Sequence, residues 1–201
     1  MPLTDDQIER YSRQLILPEI GPGGQERLGA ARVAVVGEGV AAERVVACLA
    51  AAGVGWIAAA PALHGACDPA QPDLCLVPLQ TGGNTAVDVA IVVACDIATV
   101  TADAERWRER AGATLWIAEG LAGALPACPR CAATALAMAP VPGDAPVRDA
   151  LLGTIVATEA VKTLLAIGTP IAGRVVRYDT EEAAITIVSV APSCPNCTRA
   201  G

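Results

Sequence analysis

Two four-residue motifs, Cys128-Pro129-Arg130-Cys131 and Cys194-Pro195-Asn196-Cys197, constrain this chain more than any hydrophobic pattern in it. A two-residue spacer lets a tight turn point both thiolates at one ion, and two such turns complete the tetrahedral sulfur cage that zinc favours. The 62 residues between the pairs exceed a compact zinc-ribbon spacing. A shared Zn2+ would therefore staple the C-terminus to a much earlier part of the fold. Four protein ligands leave no open position for water, so the ion's job would be structural. Two unrelated turns with spare thiols, or two redox pairs, are the competing readings. Cys48, Cys67, Cys75 and Cys95 stand singly in apolar or loop settings and read as small hydrophobes without a catalytic role.

At 201 residues the chain supports one substantial core and only a small appendage. Its apolar fraction of 53% is largely alanine, and its helical apolar stretches are interrupted by Glu, Arg or Gly before reaching membrane-spanning length. No membrane span is expected. A net charge of −7 opposes a phosphate backbone, and three Trp with two Tyr provide no stacking platform, which argues against nucleic acid as a partner. The stretch MPLTDDQIER is acidic and no apolar run follows it, so neither a secretory signal nor a transit peptide is expected and the reading is cytoplasmic. In that reducing setting paired thiols hold metal more often than they form disulfides.

Thr4 with Gln7 three residues on forms a capping box, and Ile8, Tyr11 and Leu15 then share a face, predicting a helix over 5–15. Gly21-Pro22-Gly23-Gly24 reads as loop. Buried strands are expected at 32–37, 56–60, 74–79, 87–94 and 114–118, with helices at 40–52 and 100–111 and loop at 61–72. This is an α/β pattern, a doubly wound, mostly parallel sheet with helices on both faces. A long apolar helix over 147–167 follows, then an antiparallel pair at 173–179 and 183–190 around Thr180-Glu181-Glu182. The expected organisation over 1–201 is a single unit: a helical arm at 5–30, a Rossmann-like core at 31–120, and a zinc-stapled C-terminal lobe at 121–201.

Several of these segments together resemble the MoeB/ThiF/HesA family of the ubiquitin-activating-enzyme superfamily. They are Leu3-Thr4-Asp5-Asp6-Gln7, Arg10-Tyr11-Ser12-Arg13-Gln14, Val33 to Gly39, Ala52-Gly53-Val54-Gly55, Glu159-Ala160-Val161-Lys162, Arg177-Tyr178-Asp179 and both cysteine pairs. They run from residue 3 to residue 197 in the family's order. The resemblance implies dimers or heterodimers that bind ATP and Mg2+ and adenylate the C-terminal glycine of a ubiquitin-like or sulfur-carrier protein. In some relatives the activated carrier then passes to a cysteine. It also implies that the zinc is structural and that Arg13 reaches across a dimer to a partner's ATP phosphates.

The chain departs from that family where phosphate should bind. A glycine-rich turn before a helix lets backbone N–H groups meet phosphate, but here it reads Gly37-Glu38-Gly39-Val40-Ala41-Ala42. Two expected glycines are replaced, and Glu38 brings a negative charge toward the triphosphate position. Gly37 and Gly39 remain as candidate nucleotide contacts. Asp96 sits near the family's Mg2+-binding aspartate, in an uncertain register and equally readable as a helix cap. Trp56-Ile57-Ala58-Ala59-Ala60-Pro61 carries no acid for ribose, and a segment bearing phosphate-contacting side chains is missing between Ala62 and Asp68. Lys162 is the only lysine in the chain and lies on the long C-terminal helix. Residues 139–150, where thioester-forming relatives carry a cysteine, contain none. The expected function is a non-catalytic MoeB/ThiF-like subunit acting in a dimer or heterodimer on such a carrier protein. The alternatives are an active adenylyltransferase and an ATP-independent carrier-binding module.

Overall fold

The computed structural model describes residues 2–68, 71–79, 86–136, 146–179 and 182–198. Its frame is one eight-stranded sheet. The strands are β1 (Arg32–Val36), β2 (Trp56–Ala59), β3 (Cys75–Pro78), β4 (Val87–Val93), β5 (Ala111–Ala118), β6 (Leu121–Ala124), β7 (Arg174–Asp179) and β8 (Ala184–Ser189), in the order β3-β2-β1-β4-β5-β6-β7-β8. The first five pair in parallel; β6, β7 and β8 extend the same sheet antiparallel.

Strand alternation divides the core between the two faces. Val33, Val35, Val89, Ile91, Leu115 and Ile117 point to one cluster, whereas Ala34, Ala90, Val92, Trp116 and Ala118 point to the other. The first face is covered by α3 (Gly21–Ala30), α4 (Val40–Ala52) and α7 (Pro146–Leu165); the second is covered by α5 (Ile97–Arg108) and α6 (Pro129–Ala135). Strands buried on both sides need apolar residues at nearly every position, which is why β4 and β5 are nearly continuous hydrophobic runs. Contact between α4 and α7 is close because Gly153 carries no side chain: a Cβ there would stand 2.5 Å from the Ala41 carbonyl oxygen and 3.0 Å from the Arg44 Cβ.

Several boundaries differ from the sequence reading. The helix expected over 5–15 is broken into α1 (Asp5–Arg10) and α2 (Ser12–Leu15), with Tyr11 between them turned inward and only 4% exposed. The expected loop at Gly21–Gly24 is the first turn of α3, because Gly24, Gln25 and Leu28 form a buried stripe and Gly24 fits against Ile20 and Leu165. Tertiary packing there overrides glycine's poor helix propensity. Residues 61–66, expected as loop, form a 3-10 turn that buries Leu63, with Pro61 at its first position. The α5 helix begins and ends about one turn earlier than its charge pattern suggested. The unanticipated strand β6 reads Leu-Ala-Gly-Ala, with none of the branched residues that signal strands. Gly123 is required in it, because a Cβ would stand 2.7 Å from the Trp116 ring. Of the turn expected around Thr180-Glu181-Glu182, Thr180 and Glu181 lie outside the described residues.

Candidate functional site

The cysteine pairs occupy equivalent local structures. Cys128 is the N-cap of α6, Pro129 begins that helix and Cys131 lies in its first turn; Cys194 immediately precedes α8 (Pro195–Thr198), which contains Cys197. Proline at a helix's first position fixes φ without removing a needed donor, so each Cys-Pro-x-Cys folds into a turn presenting two sulfurs. The four Sγ atoms lie within 4.8 Å of one another, and Cys128 and Cys194 are 3.9 Å apart. Sulfurs at ordinary Zn–S distances on a tetrahedron are about 3.8 Å apart. Cys131 also accepts from the backbone N–H groups of Ser193 and Cys194, both at 3.3 Å. Burial alone pushes the Cys131 thiol up, but these donors outweigh it and bring it down to about 6. Burial pushes the Cys128 and Cys197 thiols up. Such a closed, N–H-supported sulfur cage could hold one metal ion, which would deprotonate its thiols on binding.

The second site is a cleft of about 560 Å³ at the C-terminal ends of β1, β4 and β5, where the strand order reverses direction between β1 and β4. Open α/β sheets bind ligands at such switch points. Its walls are Glu38 to Ala41, Val93 to Cys95, Ile117 to Gly120, and Arg148 with Asp149. Gly37 has φ +103°, and a Cβ there would overlap the Val93 carbonyl oxygen. Gly39 has φ +93° and caps α4 with no side-chain hydrogen bond to the helix's first N–H groups. The turn thus keeps its glycine-dependent backbone despite Val40 and Ala42, and Ala42 is buried in the core.

The remaining sequence candidates fall into place around this cleft unevenly. Asp96 caps α5, its Oδ1 accepting from the Thr99 N–H and its Oδ2 from the Thr99 hydroxyl, both at 2.8 Å. Those donors hold its carboxyl below the usual carboxylate range. Asp96 is not among the residues lining the cleft. Arg10 pairs with Asp73, which also accepts from Gln7 Nε2 at 2.9 Å and from the Tyr11 hydroxyl at 3.2 Å, tying the N-terminal arm to the segment before β3. Arg13 is exposed and, among the described residues, forms no ion pair. The two arginines therefore do different work: Arg10 anchors, and Arg13 faces solvent. Cys75 and Cys95 are exposed rather than core residues, and Cys95 borders the cleft.

Two cleft residues went unnoticed in the sequence. Glu119 holds φ +48° between β5 and β6, and its Oε1 accepts from the Ile97 N–H at 3.2 Å. Arg148 is 5% exposed, donates from Nε to Asp149 at 2.9 Å, and has its Nη1 buried without a hydrogen-bond partner among the described residues. The signal for Arg148 was present. With Leu152, Val156 and Ala160 it forms an i, i+4, i+8, i+12 stripe, and that stripe is the buried face of α7.

Similarity to known proteins follows the whole length of the chain. It is 28% identical over 254 residues to a sulfur carrier protein adenylyltransferase of Thermus thermophilus, covering 96% of this chain and 92% of that protein. It is 27% identical to the SAMP-activating enzyme E1 of Haloferax volcanii, covering 99% and 92%. A 53-residue stretch is 57% identical to the adenylyltransferase and sulfurtransferase MOCS3 of Bos taurus, covering 26% of this chain and 12% of that one. By sequence and fold the chain is similar to MoeB/ThiF-type proteins. No family model matches it. Among solved structures, E. coli MccB with ATP superposes with a TM-score of 0.68 at 13% identity, covering 94% of this chain and 73% of that one. PaaA superposes with a TM-score of 0.66, also at 13% identity, covering 94% and 84%. The alignment with the Thermus protein runs over 254 residues against 201 here, so that relative contains segments with no counterpart in this chain. Among the described residues, no helix is long and apolar enough to cross a membrane.

Proposed function

We propose that this chain is a non-catalytic MoeB/ThiF-type subunit that works in a dimer or heterodimer beside an active relative, in the activation of a sulfur-carrier or ubiquitin-like protein. The observation that carries this reading is the charge of the cleft. Its described lining brings three carboxylates, Glu38, Glu119 and Asp149, against a single cation, Arg148. A triphosphate brought there meets net repulsion, and in low dielectric that repulsion grows with every charge on the ligand. The missing ribose acid at the end of β2 and the absence of any lysine but Lys162 act in the same direction. Differential stabilisation of an adenylation transition state requires contacts of the kind these positions no longer supply.

In this reading the four cysteines hold structural zinc and keep the C-terminal strands registered against the core. Arg13, exposed and without an ion pair among the described residues, stabilises charge on the triphosphate held by the partner. Gly37, Gly39 and Asp96 are then remnants whose present work is the turn before α4 and the cap of α5.

The full-length match to the Thermus protein, itself an adenylyltransferase, favours a second reading, in which a reshaped cleft still adenylates a carrier. ATP–pyrophosphate exchange by the purified, zinc-loaded chain with its carrier separates the two. Exchange by the chain alone supports the enzyme; exchange only when an active relative is added supports the subunit. Carrier binding indifferent to ATP and to any relative marks an ATP-independent carrier-binding module.

A further inference from the structure

One stretch of the sheet lies open where a doubly wound fold normally carries a helix. On the face that holds α5 and α6, α5 packs on β4 and β5 and α6 packs on α5, so among the described residues no helix packs on β2 or β3 there. The connection from β3 to β4 accounts for the gap. Between Pro78 and Val87 it has eight residues, 79–86, where crossovers between parallel strands take a dozen or more, usually as a helix. Gln80 to Thr85 lie outside the described residues; their sequence, Gln-Thr-Gly-Gly-Asn-Thr, holds no large apolar side chain to lay over the sheet. Trp56 is accordingly only half-buried, and Cys75, its register partner on β3, is exposed.

This open stretch is a groove of about 400 Å³, within the range of about 300–1,000 Å³ usual for small-molecule sites. Ala34 and Ala58, register partners on β1 and β2, form its floor. Their small side chains keep the floor low between two indoles, Trp56 on β2 and Trp107 on α5, with Val77 and Leu79 adding apolar wall. Each indole carries a guanidinium. Arg110 Cζ lies 4.3 Å from the Trp107 ring centroid, and Arg32 Cζ lies 4.2 Å from that of Trp56. Arg110 lines the groove itself, and its carbonyl accepts from the N–H of Val87, another lining residue, at 3.0 Å. No carboxylate belongs to the described lining. Asp88, next to Val87 in the chain, accepts from the Arg32 N–H at 2.7 Å. In a chain of net charge −7, the only charge in this described lining is thus positive.

We propose that this groove is a small-molecule site for an apolar monoanion, an aromatic or acyl carboxylate, whose body lies between Trp56 and Trp107 and whose carboxylate meets Arg110. Burial against aromatic faces favours the body, and a guanidinium takes a carboxylate through charge-assisted hydrogen bonds. The groove shares no lining residue with the switch-point cleft and does not depend on whether any subunit turns over ATP.

The chain's three tryptophans make the test specific, because the third, Trp116, is fully buried with its indole donating to the Ala127 carbonyl at 2.8 Å. The zinc-loaded wild-type chain is titrated with 2-naphthoate, octanoate and the primary amide of each, and the three indole N–H signals are followed by 15N NMR. The expected result is saturable movement of the Trp56 and Trp107 signals with at least one acid, Trp116 unmoved, and binding at least about tenfold weaker for the matching amide. Saturation by 2-naphthoate alone identifies an aromatic ligand, by octanoate alone an acyl ligand, and by both a site reading their shared chemistry; each supports the proposal. Arg110→Gln should weaken the acid by about tenfold and leave the amide unchanged. Ala58→Leu, which fills the floor, should abolish saturation by both. No saturation by either acid, equal affinity for acid and amide, or undiminished acid affinity in a folded Arg110→Gln protein overturns the proposal; the first two are read in the wild-type chain alone. Movement of the same two signals with protein concentration, without ligand, identifies a second copy of the chain as the occupant and overturns it too. None of these results bears on pyrophosphate exchange, so failure here is separable from failure of the subunit reading.

Discussion

Removing the metal from the four-cysteine cage is expected to destabilise the chain without unfolding it. The cage ties Cys128 to Cys194 across 66 residues of chain. Treated as a cross-link that restricts the unfolded state, a loop of that length is worth about 4 kcal/mol. A chain of this size gains about 0.4 kcal/mol/K in unfolding entropy, so the midpoint should fall by about 10 °C. The sheet should survive, because the cluster around Leu28, Val45, Leu49, Ile91 and Leu152 lies on the face away from the cysteines. The assay is calorimetry of the zinc-loaded protein against protein treated with a strong chelator under reducing conditions, with Cys128→Ser as a second route to the same state. Far-UV circular dichroism reports whether the sheet remains. An unchanged midpoint after verified metal loss would show that the staple contributes nothing. Loss of all secondary structure would show that the ion is the core of the C-terminal half rather than a fastening on it.

Three further outcomes are expected. Arg13→Ala should leave the melting temperature within 1 °C or so, since exposed, unpaired side chains contribute little. The same change should slow adenylation by an active partner by about tenfold or more, measured as carrier-dependent pyrophosphate release. Asp73→Ala removes the acceptor shared by Gln7, Arg10 and Tyr11 and should cost about 2 kcal/mol; hydrogen exchange should accelerate selectively over residues 5–15. Gly37→Ala forces a side chain onto the Val93 carbonyl at positive φ and should cost about 2–4 kcal/mol in denaturant melts, whether or not nucleotide binds.

The parallel core was readable because strands buried on both faces must be apolar throughout, and β1, β4 and β5 satisfy that without ambiguity. The clustering of Cys128, Cys131, Cys194 and Cys197 was readable because two pairs at fixed spacing carry it. What escaped depends on contacts distant in sequence. The α3 helix opens on Gly-Pro-Gly-Gly and exists because Gly24 and Leu28 have somewhere to pack; β6 exists because β5 and β7 lie on either side of it. At the cleft, the glycine turn and its losses were visible along the chain. Arg148 shares the helical spacing of Leu152, Val156 and Ala160, but a lone arginine near the start of an apolar helix reads as solvent-facing until the helix is seen packed on α4. Asp96 illustrates the reverse: a carboxylate noticed for metal chemistry is occupied in capping a helix, a role local sequence offered equally well.

Whether this cleft binds ATP separates the non-catalytic subunit from the enzyme most directly. Isothermal titration calorimetry of the zinc-loaded chain with ATP and Mg2+ measures it directly. With three carboxylates against one arginine in its described lining, the cleft should give no binding heat at millimolar ATP. Micromolar binding would contradict it and would require phosphate ligands beyond those the cleft presents.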